Sequence, residues 1–351
     1  MSNDHAFHIR ALLRSGQVVE IGGRSAPRPK RAPSGVPSRT QIVLGFAAIY
    51  LIWGSTYLGI RYAIESIPPL LMMGVRHLSA GSLVYAWARR RGTPAPSLRQ
   101  WGYALIAGAL LFLGGHGSLA WAEQKVPSGL AALLCATLPL WTVLLGRIRG
   151  SEHHLGGRAW LGLALGFVGV VVLIGPGALR QGGTLDLLAT GGVLLSAFMW
   201  SVGTIYSHGV SMPKSTILSA AMQMMTGGAW LLLSGVSVGE TAQFHMASLT
   251  AKSVLALAYL TVFGSIVAFT AFTWLLTVSA PSRVSTYAYV NPVVAVFIGW
   301  AVAGEAIGAH TLAATVIILA SVALVTTRRK QPAAEEAGSI SLDGLQEAVG
   351  D

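Results

Sequence analysis

The sequence predicts an all-α polytopic membrane protein whose ten transmembrane helices form two inverted five-helix repeats. The first observation is composition: the chain of 351 residues is 53% hydrophobic and 11% charged, whereas soluble chains carry about 25% charged residues. The second is that the apolar residues form long unbroken runs, which favour membrane helices over the alternating strands of a barrel. The third is a repeated motif that indicates an internal duplication.

Ten apolar runs follow one another along the chain, separated by short links that often contain proline or glycine. Each run has about the 20 residues that an α-helix needs to cross a bilayer. They cover approximately 42–64, 68–88, 100–122, 127–147, 158–179, 185–207, 215–237, 252–278, 281–303 and 308–327. Residues 1–40 are polar and basic, which predicts a disordered cytoplasmic tail, and residues 328–351 predict a second polar cytoplasmic tail.

The repeated motif divides the membrane part into two copies of one unit. Val126-Pro127-Ser128 recurs as Ala280-Pro281-Ser282, each at the start of an apolar run. Aligning the two copies pairs further residues: Gly146 with Gly299, Glu152 with Glu305, Trp53 with Trp200 and Gly81 with Gly228. The sequence therefore predicts a first repeat over residues 41–180 and a second over residues 181–327.

Basic residues indicate how the helices are oriented. With a cytoplasmic N-terminus, the inner links and the C-terminal flank hold twelve Lys and Arg residues, and the outer links hold three. An excess of Lys and Arg is typical of cytoplasmic loops, so we predict that both termini are cytoplasmic. Five spans separate the two copies of the motif, so the second copy enters from the opposite face. Inverted repeats are the architecture of secondary transporters, which hold substrate near the membrane midplane.

Arg76 is the main candidate for a binding residue, because it lies inside the second predicted span, directly before His77. An ionisable side chain is costly at membrane depth, so each one is a functional hypothesis by default. We predict that Arg76 faces a cavity and pairs with a carboxylate or phosphate of the substrate. The alternative is a structural arginine that is hydrogen-bonded to backbone carbonyls of neighbouring helices.

The other candidates are aromatic and neutral polar residues at membrane depth, expected to shape the cavity or to hydrogen-bond the substrate. Besides His77, they are Trp53, Tyr57, His116, Trp200, Gln223, Tyr289 and Asn291. For His116 a helix-packing role is the favoured interpretation, and Asn291 is expected to bond across helices. Gln223 is the repeat equivalent of Arg76, so one half carries a charge where the other carries a neutral amide.

Acidic residues between the two tails lie at or beyond the ends of the predicted spans. A carboxylate at the midplane is therefore not predicted. Glu123, at the outer end of the third span, is the nearest candidate for a coupling role. The favoured interpretation is that Glu123 caps its helix or pairs with Lys125.

The sequence shows no motif for a cofactor or an ATP motor, since G-x-x-x-x-G-K-[ST] does not occur. Glu152-His153-His154 is interpreted as a solvated loop, so no metal is expected. The net charge of +11 is explained by basic residues beside the spans, and no nucleic-acid partner is expected. Gly162 and Gly166 predict tight helix packing, either within the fold or between the subunits of a homodimer.

Several stretches resemble the drug/metabolite transporter superfamily, specifically its EamA-type ten-helix exporters. The resemblance covers residues 42–327. It implies two EamA repeats, a central cavity, and efflux of small metabolites or drugs from a bacterial cytoplasm across the inner membrane. The stretches that carry it are Leu51-Ile52-Trp53-Gly54-Ser55-Thr56-Tyr57, Gly74-Val75-Arg76, Ala122-Glu123, Val126-Pro127-Ser128-Gly129, Thr137-Leu138-Pro139 and Ser285-Thr286-Tyr287-Ala288-Tyr289-Val290-Asn291-Pro292.

These observations predict a secondary transporter that exports small metabolites, such as amino acids or related compounds, or drugs by alternating access. Its partners are the lipid bilayer and a small-molecule substrate. Three alternatives stay open: an intramembrane enzyme that uses His116 or Ser118, a passive channel, and an organelle-type sugar-phosphate or nucleotide-sugar antiporter of the same superfamily. The inverted repeat argues against the enzyme and against the channel.

Overall fold

The computed structural model describes residues 8–12, 18–22, 37–148, 157–179, 186–279, 284 and 286–326. The chain divides into two compact units, Met1–Gln41 and Ile42–Asp351. The repeat residues Pro281, Ser282 and Glu152 lie outside the described residues, as does the C-terminal tail.

The first unit contains a β-hairpin. Strands β1 (His8–Leu12) and β2 (Val18–Gly22) pair antiparallel, with Ile9 opposite Ile21 and Ala11 opposite Val19. Directly opposed residues of such a pair share one face, so these four side chains form an apolar face. The structure departs here from the disordered tail predicted for residues 1–40, because the alternation of apolar and polar residues suits a strand.

Helices make up most of the remaining described chain. The α-helices are α1 (Arg39–Ala63), α2 (Pro69–Arg90), α3 (Leu98–Gly108), α4 (Ser118–Ala122), α5 (Ser128–Cys135), α6 (Leu138–Ile148), α7 (Gly157–Leu179), α8 (Leu187–Gly209), α9 (Thr216–Ser237), α10 (Glu240–Gln243), α11 (Ala251–Tyr259), α12 (Ala268–Val278), α13 (Tyr287–Ala303) and α14 (Ala309–Thr326). Two π-helical segments are continuous with them: π1 (Ala109–Gly117) joins α3 to α4, and π2 (Leu260–Val267) joins α11 to α12. A short 3₁₀ turn covers Met246–Ser248.

Six helical stretches among the described residues are long and apolar enough to cross a membrane. Shorter apolar helices cover Trp160–Leu173, Val290–Ala303 and Ala309–Leu324. Helix α2 is 22 residues long but less apolar, because Arg76, His77 and its terminal arginines lower its hydropathy. The all-α polytopic fold is confirmed for this part of the chain, whereas the count of ten spans stays a prediction.

Helices α2 and α9 pack against each other along their lengths, and two glycines make the contact reciprocal. A Cβ atom on Gly81 would lie 2.8 Å from the backbone nitrogen of Met225, and one on Gly228 would lie 2.5 Å from that of Leu78. Each glycine therefore allows the backbone of the other helix to approach closely. Leu78 precedes Gly81 as Met225 precedes Gly228, so the contact is symmetric between the two halves.

Helix α7 packs on α14 through small residues. A Cβ atom on Gly166 would lie 2.9 Å from Ser321 Oγ, and one on Gly169 would lie 2.7 Å from Ile318 Cγ1. The tight packing predicted from the glycines of α7 therefore occurs, at Gly166, within the fold. The homodimer stays a prediction.

Carboxylates from the second half cap two helices of the first half. Helix α5 begins after Pro127, whose side chain offers no cap. Glu305 accepts hydrogen bonds from the N–H groups of Ser128 at 2.8 Å and Gly129 at 2.9 Å. Glu240 accepts from two N–H groups in the first turn of α2. Such caps satisfy N–H groups that have no partner within the helix and place negative charge at the positive end of its dipole.

Candidate binding site

Arg76 lies two turns into α2 with only 5% of its surface exposed. Its Nε–H donates to Ser265 Oγ at 3.0 Å, and a terminal nitrogen contacts Met73 Sδ at 3.8 Å. No ion pair to Arg76 occurs among the described residues. A guanidinium carries five N–H donors, so a hydroxyl and a thioether leave much of its hydrogen-bonding capacity for another acceptor. These partners differ from the backbone carbonyls that a purely structural arginine was expected to have.

The π2 segment forms the wall against which Arg76 lies. Ser265 supplies the hydroxyl, and a Cβ atom on Gly264 would lie 3.2 Å from Arg76 Nη2 and 3.1 Å from Thr56 Cγ2. The absence of a side chain at Gly264 therefore leaves room for the guanidinium of Arg76. The carbonyl of Gly264 also accepts a hydrogen bond from Trp53 Nε1 at 3.0 Å. Segments of π-helix inside α-helices are frequent at functional sites.

Trp53 is the centre of an aromatic cluster that joins α1, α12 and α13. Its ring centroid lies 5.3 Å from that of Phe272 and 5.1 Å from that of Tyr287. The rings of Phe272 and Tyr287 meet edge to face at 5.9 Å. We call these three residues the Trp53 cluster. Such tilted contacts suit the charge distribution of aromatic rings and make a firm wall beside π2.

A second cluster joins α2, π1 and α8, and we call it the Trp200 cluster. His116 Nδ1 and His77 Nε2 are 2.8 Å apart, so one imidazole donates to the other. The ring of Trp200 lies 4.6 Å from that of His116, and Phe112 lies 4.5 Å from His77. His77 is 1% exposed, and its Nδ1 has no hydrogen-bond partner among the described residues. The two neighbours Arg76 and His77 thus contact opposite halves, one at π2 and the other at π1.

Tyr57 lies on α1 and contacts a different group. It packs, half-buried, against the main hydrophobic core, as Cys135 of α5 does. The structure brings Trp53 and Arg76 together through π2, whereas Tyr57 belongs to this packing.

Two further candidates serve helix contacts in this state. Gln223 Nε2 donates to Ser219 Oγ on its own helix at 3.2 Å. Asn291 is 9% exposed; in the amide orientation that satisfies its surroundings, its nitrogen donates to the carbonyls of Tyr50 at 3.3 Å and Tyr287 at 3.2 Å. Asn291 therefore connects α13 to α1. The side chain of Tyr289 lies outside the described part of the structure.

A groove of about 520 Å³ lies beside π1, where Gly114, Gly117 and Ser118 face Leu188 and Gly191 of α8. Its lining is almost entirely apolar, and Leu188 is 72% exposed, as expected for a side chain in contact with lipid. Arg76 does not line this groove. Arg76 and His77 are shielded from solvent in this state of the molecule, whereas Trp53, His116 and Trp200 are half-buried.

The interpretation that Glu123 pairs with Lys125 is wrong. Lys125 Nζ lies 2.7 Å from Asp186 Oδ2, and Asp186 also accepts from the N–H of Ala189 at the start of α8. Glu123 is 1% exposed, and neither of its carboxyl oxygens has a hydrogen-bond partner among the described residues. At the end of α4 the chain turns, so Lys125 points to the second half and Glu123 stays inside.

The sequence interpretation also missed Ser265. The repeat did contain a signal for it. The alignment that pairs Trp53 with Trp200 also pairs Gly117-Ser118 with Gly264-Ser265. Only the three-dimensional contact shows that the second serine meets Arg76.

This arrangement has counterparts among known proteins. Residues 40–175 and 187–327 match the EamA-like transporter family, and because these two stretches cover most of the chain, the protein belongs to that family. It is a membrane transporter rather than an enzyme. The alternative of an intramembrane enzyme that uses His116 or Ser118 is therefore set aside.

Individual relatives agree with this assignment. The chain is 37% identical over 283 residues to the uncharacterised inner membrane transporter YedA of Escherichia coli, covering 80% of this chain and 88% of that protein. It is 26% identical over 306 residues to the uncharacterised transporter YvbV of Bacillus subtilis, covering 87% and 96%. A solved crystal structure shares the fold with a TM-score of 0.56 at 20% identity, covering 82% of this chain and 97% of that one.

Proposed function

We propose that the protein exports small zwitterionic or anionic metabolites, such as amino acids or related compounds, or drugs across the cytoplasmic membrane by alternating access. The observation that carries the proposal is the buried Arg76, whose partners are one hydroxyl and one thioether. A carboxylate of the substrate would supply the paired acceptors that a guanidinium binds best. A cation at this depth is costly, so it favours a negatively charged group that enters the site.

The surrounding residues have separate roles in this proposal. Arg76 holds the negative group of the substrate, and Trp53, Tyr57, Trp200 and Tyr289 shape the cavity around it. The neutral polar residues supply hydrogen bonds as the cavity opens; they are His77, His116, Gln223 and Asn291. The Trp53 and Trp200 clusters lie on different π segments, so movement of either segment would change the shape of the site.

Alternating access is supported by the symmetry of the contacts. Gly81 and Gly228 allow the close approach of the α9 and α2 backbones in equivalent ways. The two halves can therefore take up each other's conformation around this contact, as alternating access requires. Arg76 and His77 lie beside it and are closed to solvent. The excess of basic residues in the links assigned to the cytoplasm supports cytoplasmic termini and an inner-membrane location.

The proposal is tested by overexpression in bacterial cells, with metabolites in the medium measured by mass spectrometry and resistance to toxic amino-acid analogues scored in parallel. We expect the wild-type protein to raise specific metabolites in the medium and to confer resistance to their analogues. The Arg76→Ala variant, at equal abundance in the membrane, is expected to do neither. Equal accumulation with wild type and Arg76→Ala would remove Arg76 from the substrate site.

A passive channel makes a different prediction in the same cells. Its flux would rise in proportion to the internal metabolite concentration, without saturation. A transporter that alternates between two states saturates, so the rate of accumulation is expected to level off.

A further inference from the structure

Glu123 is a buried acid without a hydrogen-bond partner among the described residues. Its residue is 1% exposed, and both carboxyl oxygens are shielded from solvent. Ionised carboxylates that are buried in this way are normally paired, because an isolated charge loses its hydration and gains nothing in return. Glu123 therefore needs an explanation beyond packing.

The charged and titratable groups around Glu123 come from four parts of the fold. Electrostatic interactions reach Glu123 from Tyr57 and Arg61 on α1, from Arg76 on α2, from Cys135 on α5, and from Glu305 in the link before α14. These groups include both positive and negative side chains, so none of them serves as a cationic partner for Glu123 alone.

The two arginines near Glu123 already have other partners. Arg61 donates to the carbonyl of Val126 at 3.3 Å and lies 3.9 Å from Glu305 Oε1. Arg76 donates to Ser265. Neither guanidinium comes within ion-pairing distance of Glu123 in this state.

The position of Glu123 in its helix also disfavours a negative charge. It is the C-cap residue of α4, where the helix dipole is negative and stabilises cations. Burial, the Glu305 carboxylate and the helix end therefore favour the protonated acid, and the positive charges of Arg61 and Arg76 oppose them more weakly. The closed structure accommodates Glu123 as a neutral, protonated acid.

We propose that Glu123 is the proton-binding site that couples export to proton entry, an inference that rests on the transport function proposed above. When the cavity opens to the cytoplasm, water reaches Glu123 and its O–H bond breaks, releasing the proton inward. The carboxylate that remains attracts the ammonium group of a zwitterionic substrate, whose carboxylate binds Arg76. After the substrate leaves on the outer side, Glu123 takes a proton from the outer water and the cavity closes without a bare charge.

This cycle exchanges one proton for one substrate because both need the same carboxylate. The cycle also defines the substrate class more narrowly than the charge of Arg76 does by itself. The favoured substrate has an amino group and an acidic group, as amino acids do.

The first test needs no substrate. Full-length protein in liposomes at neutral pH is examined by infrared spectroscopy for the carbonyl stretch of a protonated carboxylic acid. We expect the band in wild type, its loss in Glu123→Gln, and its retention in Glu65→Gln, since Glu65 is an exposed partner of Lys252. Glu123→Asp keeps a carboxyl group and is expected to keep a band. An unchanged band in Glu123→Gln, or none in wild type, overturns the proposal.

The second test measures coupling in liposomes that contain a mixture of the common amino acids and a pH-sensitive dye. Wild type is expected to acidify the interior as amino acids leave. Glu123→Gln lacks the carboxylate that attracts the ammonium group, so it is expected to let amino acids leave more slowly, down their own gradient and without acidification. Arg76→Ala is expected neither to export nor to acidify. Export by wild type without acidification, or acidification by Glu123→Gln at the wild-type rate, overturns the proposal.

The two tests separate this inference from the proposed function. If no variant moves the amino-acid mixture, the proposed substrates are wrong, and the infrared band then decides by itself whether Glu123 binds a proton. If wild type and Glu123→Gln both move the mixture but differ in acidification, both proposals stand.

Discussion

The two π-helical segments have equivalent positions in the two halves, yet they hold different chemistry. π1 presents His116 to Trp200 and to the second histidine of the pair, His77. π2 presents Ser265 to Arg76 and its Gly264 carbonyl to Trp53. Both segments therefore lie beside an aromatic cluster, but π1 contacts a pair of histidines and π2 contacts an arginine.

What the halves share are the small residues. Gly117-Ser118 in the first half corresponds to Gly264-Ser265 in the second, and Gly81 corresponds to Gly228. These positions decide how closely backbones approach, so a change in one half would misalign it with the other. Arg76 and Gln223 do not carry this constraint, and we propose that the difference between them sets the substrate preference.

The largest expected effect comes from replacing each of the two differing residues, Arg76 and Gln223, by alanine. Arg76→Ala removes the only cationic contact assigned to the substrate, whereas Gln223→Ala removes a hydrogen bond to Ser219 on the same helix. A hydrogen bond to a charged group is worth about 1.5–3 kcal/mol, so we expect Arg76→Ala to weaken transport about 10- to 100-fold or more. Gln223→Ala removes only a neutral hydrogen-bonding group, so it is expected to weaken transport less, by about 2- to 10-fold.

The measurement is the initial rate of metabolite export at equal membrane abundance, with circular dichroism to establish that each variant is folded. Equal losses of export rate for Arg76→Ala and Gln223→Ala would show that the two halves contribute equally to substrate binding, which would contradict the difference proposed between them.

The next effect separates the two equivalent glycines. A Cβ atom on Gly264 meets the Arg76 head group at 3.2 Å, whereas one on Gly117 meets the flexible ends of Leu231 at 2.9 Å and Leu70 at 3.2 Å. Gly264→Ala is expected to displace Arg76 from Ser265 and to weaken substrate binding by roughly 5- to 10-fold. Gly117→Ala is expected to lower stability slightly with unchanged affinity. The check is the half-saturating substrate concentration of each variant.

A smaller effect distinguishes the two tryptophans. Trp53→Phe leaves the Gly264 carbonyl without its indole donor, which costs about 1 kcal/mol of the free energy of unfolding. Trp200 contributes ring contacts with His116 and Phe112, which phenylalanine partly keeps. We expect a larger drop in the thermal unfolding midpoint in detergent for Trp53→Phe than for Trp200→Phe. The reverse order would show that π1 depends more on its tryptophan.

The smallest effect concerns the ion pair between the halves. The hydrogen bond from Lys125 lowers the pKa of the Asp186 carboxyl, and the N–H of Ala189 adds to this. A lowered folded-state pKa gives stability that is present above the unfolded pKa and is lost as the pH falls through the folded value. Asp186→Asn is therefore expected to flatten the acid side of the stability profile slightly. Unfolding midpoints across acidic pH, with Glu65→Gln as an exposed control, measure this, and a profile identical to wild type would contradict it.

Features that are local in the sequence were predictable. Composition and run length predicted the helices, and the repeat aligned Gly81 with Gly228 and marked Arg76 as unusual. The packing of these two glycines between α2 and α9 was not predicted. The π segments were not predictable, because hydropathy averaged over a span does not register a locally wider turn. The contact of Arg76 with Ser265 joins residues 189 positions apart, so spacing did not reveal it.

Glu123 shows why sequence proximity misleads at a helix end. Lys125 lies two residues away and looked like its partner, but the turn after α4 sends the lysine to Asp186. The hairpin near the N-terminus was missed for a related reason: its net basic composition outweighed a short alternating pattern.

The central claim is that substrate binds at Arg76 in a transporter that alternates between two states. Counterflow in liposomes tests it most directly: vesicles are loaded with an unlabelled metabolite identified by the export screen, and entry of the labelled compound is followed. The account predicts transient, saturable accumulation of label with wild type and with Gln223→Ala, and none with Arg76→Ala. Unsaturable entry with wild type, or accumulation with Arg76→Ala equal to wild type, would contradict it.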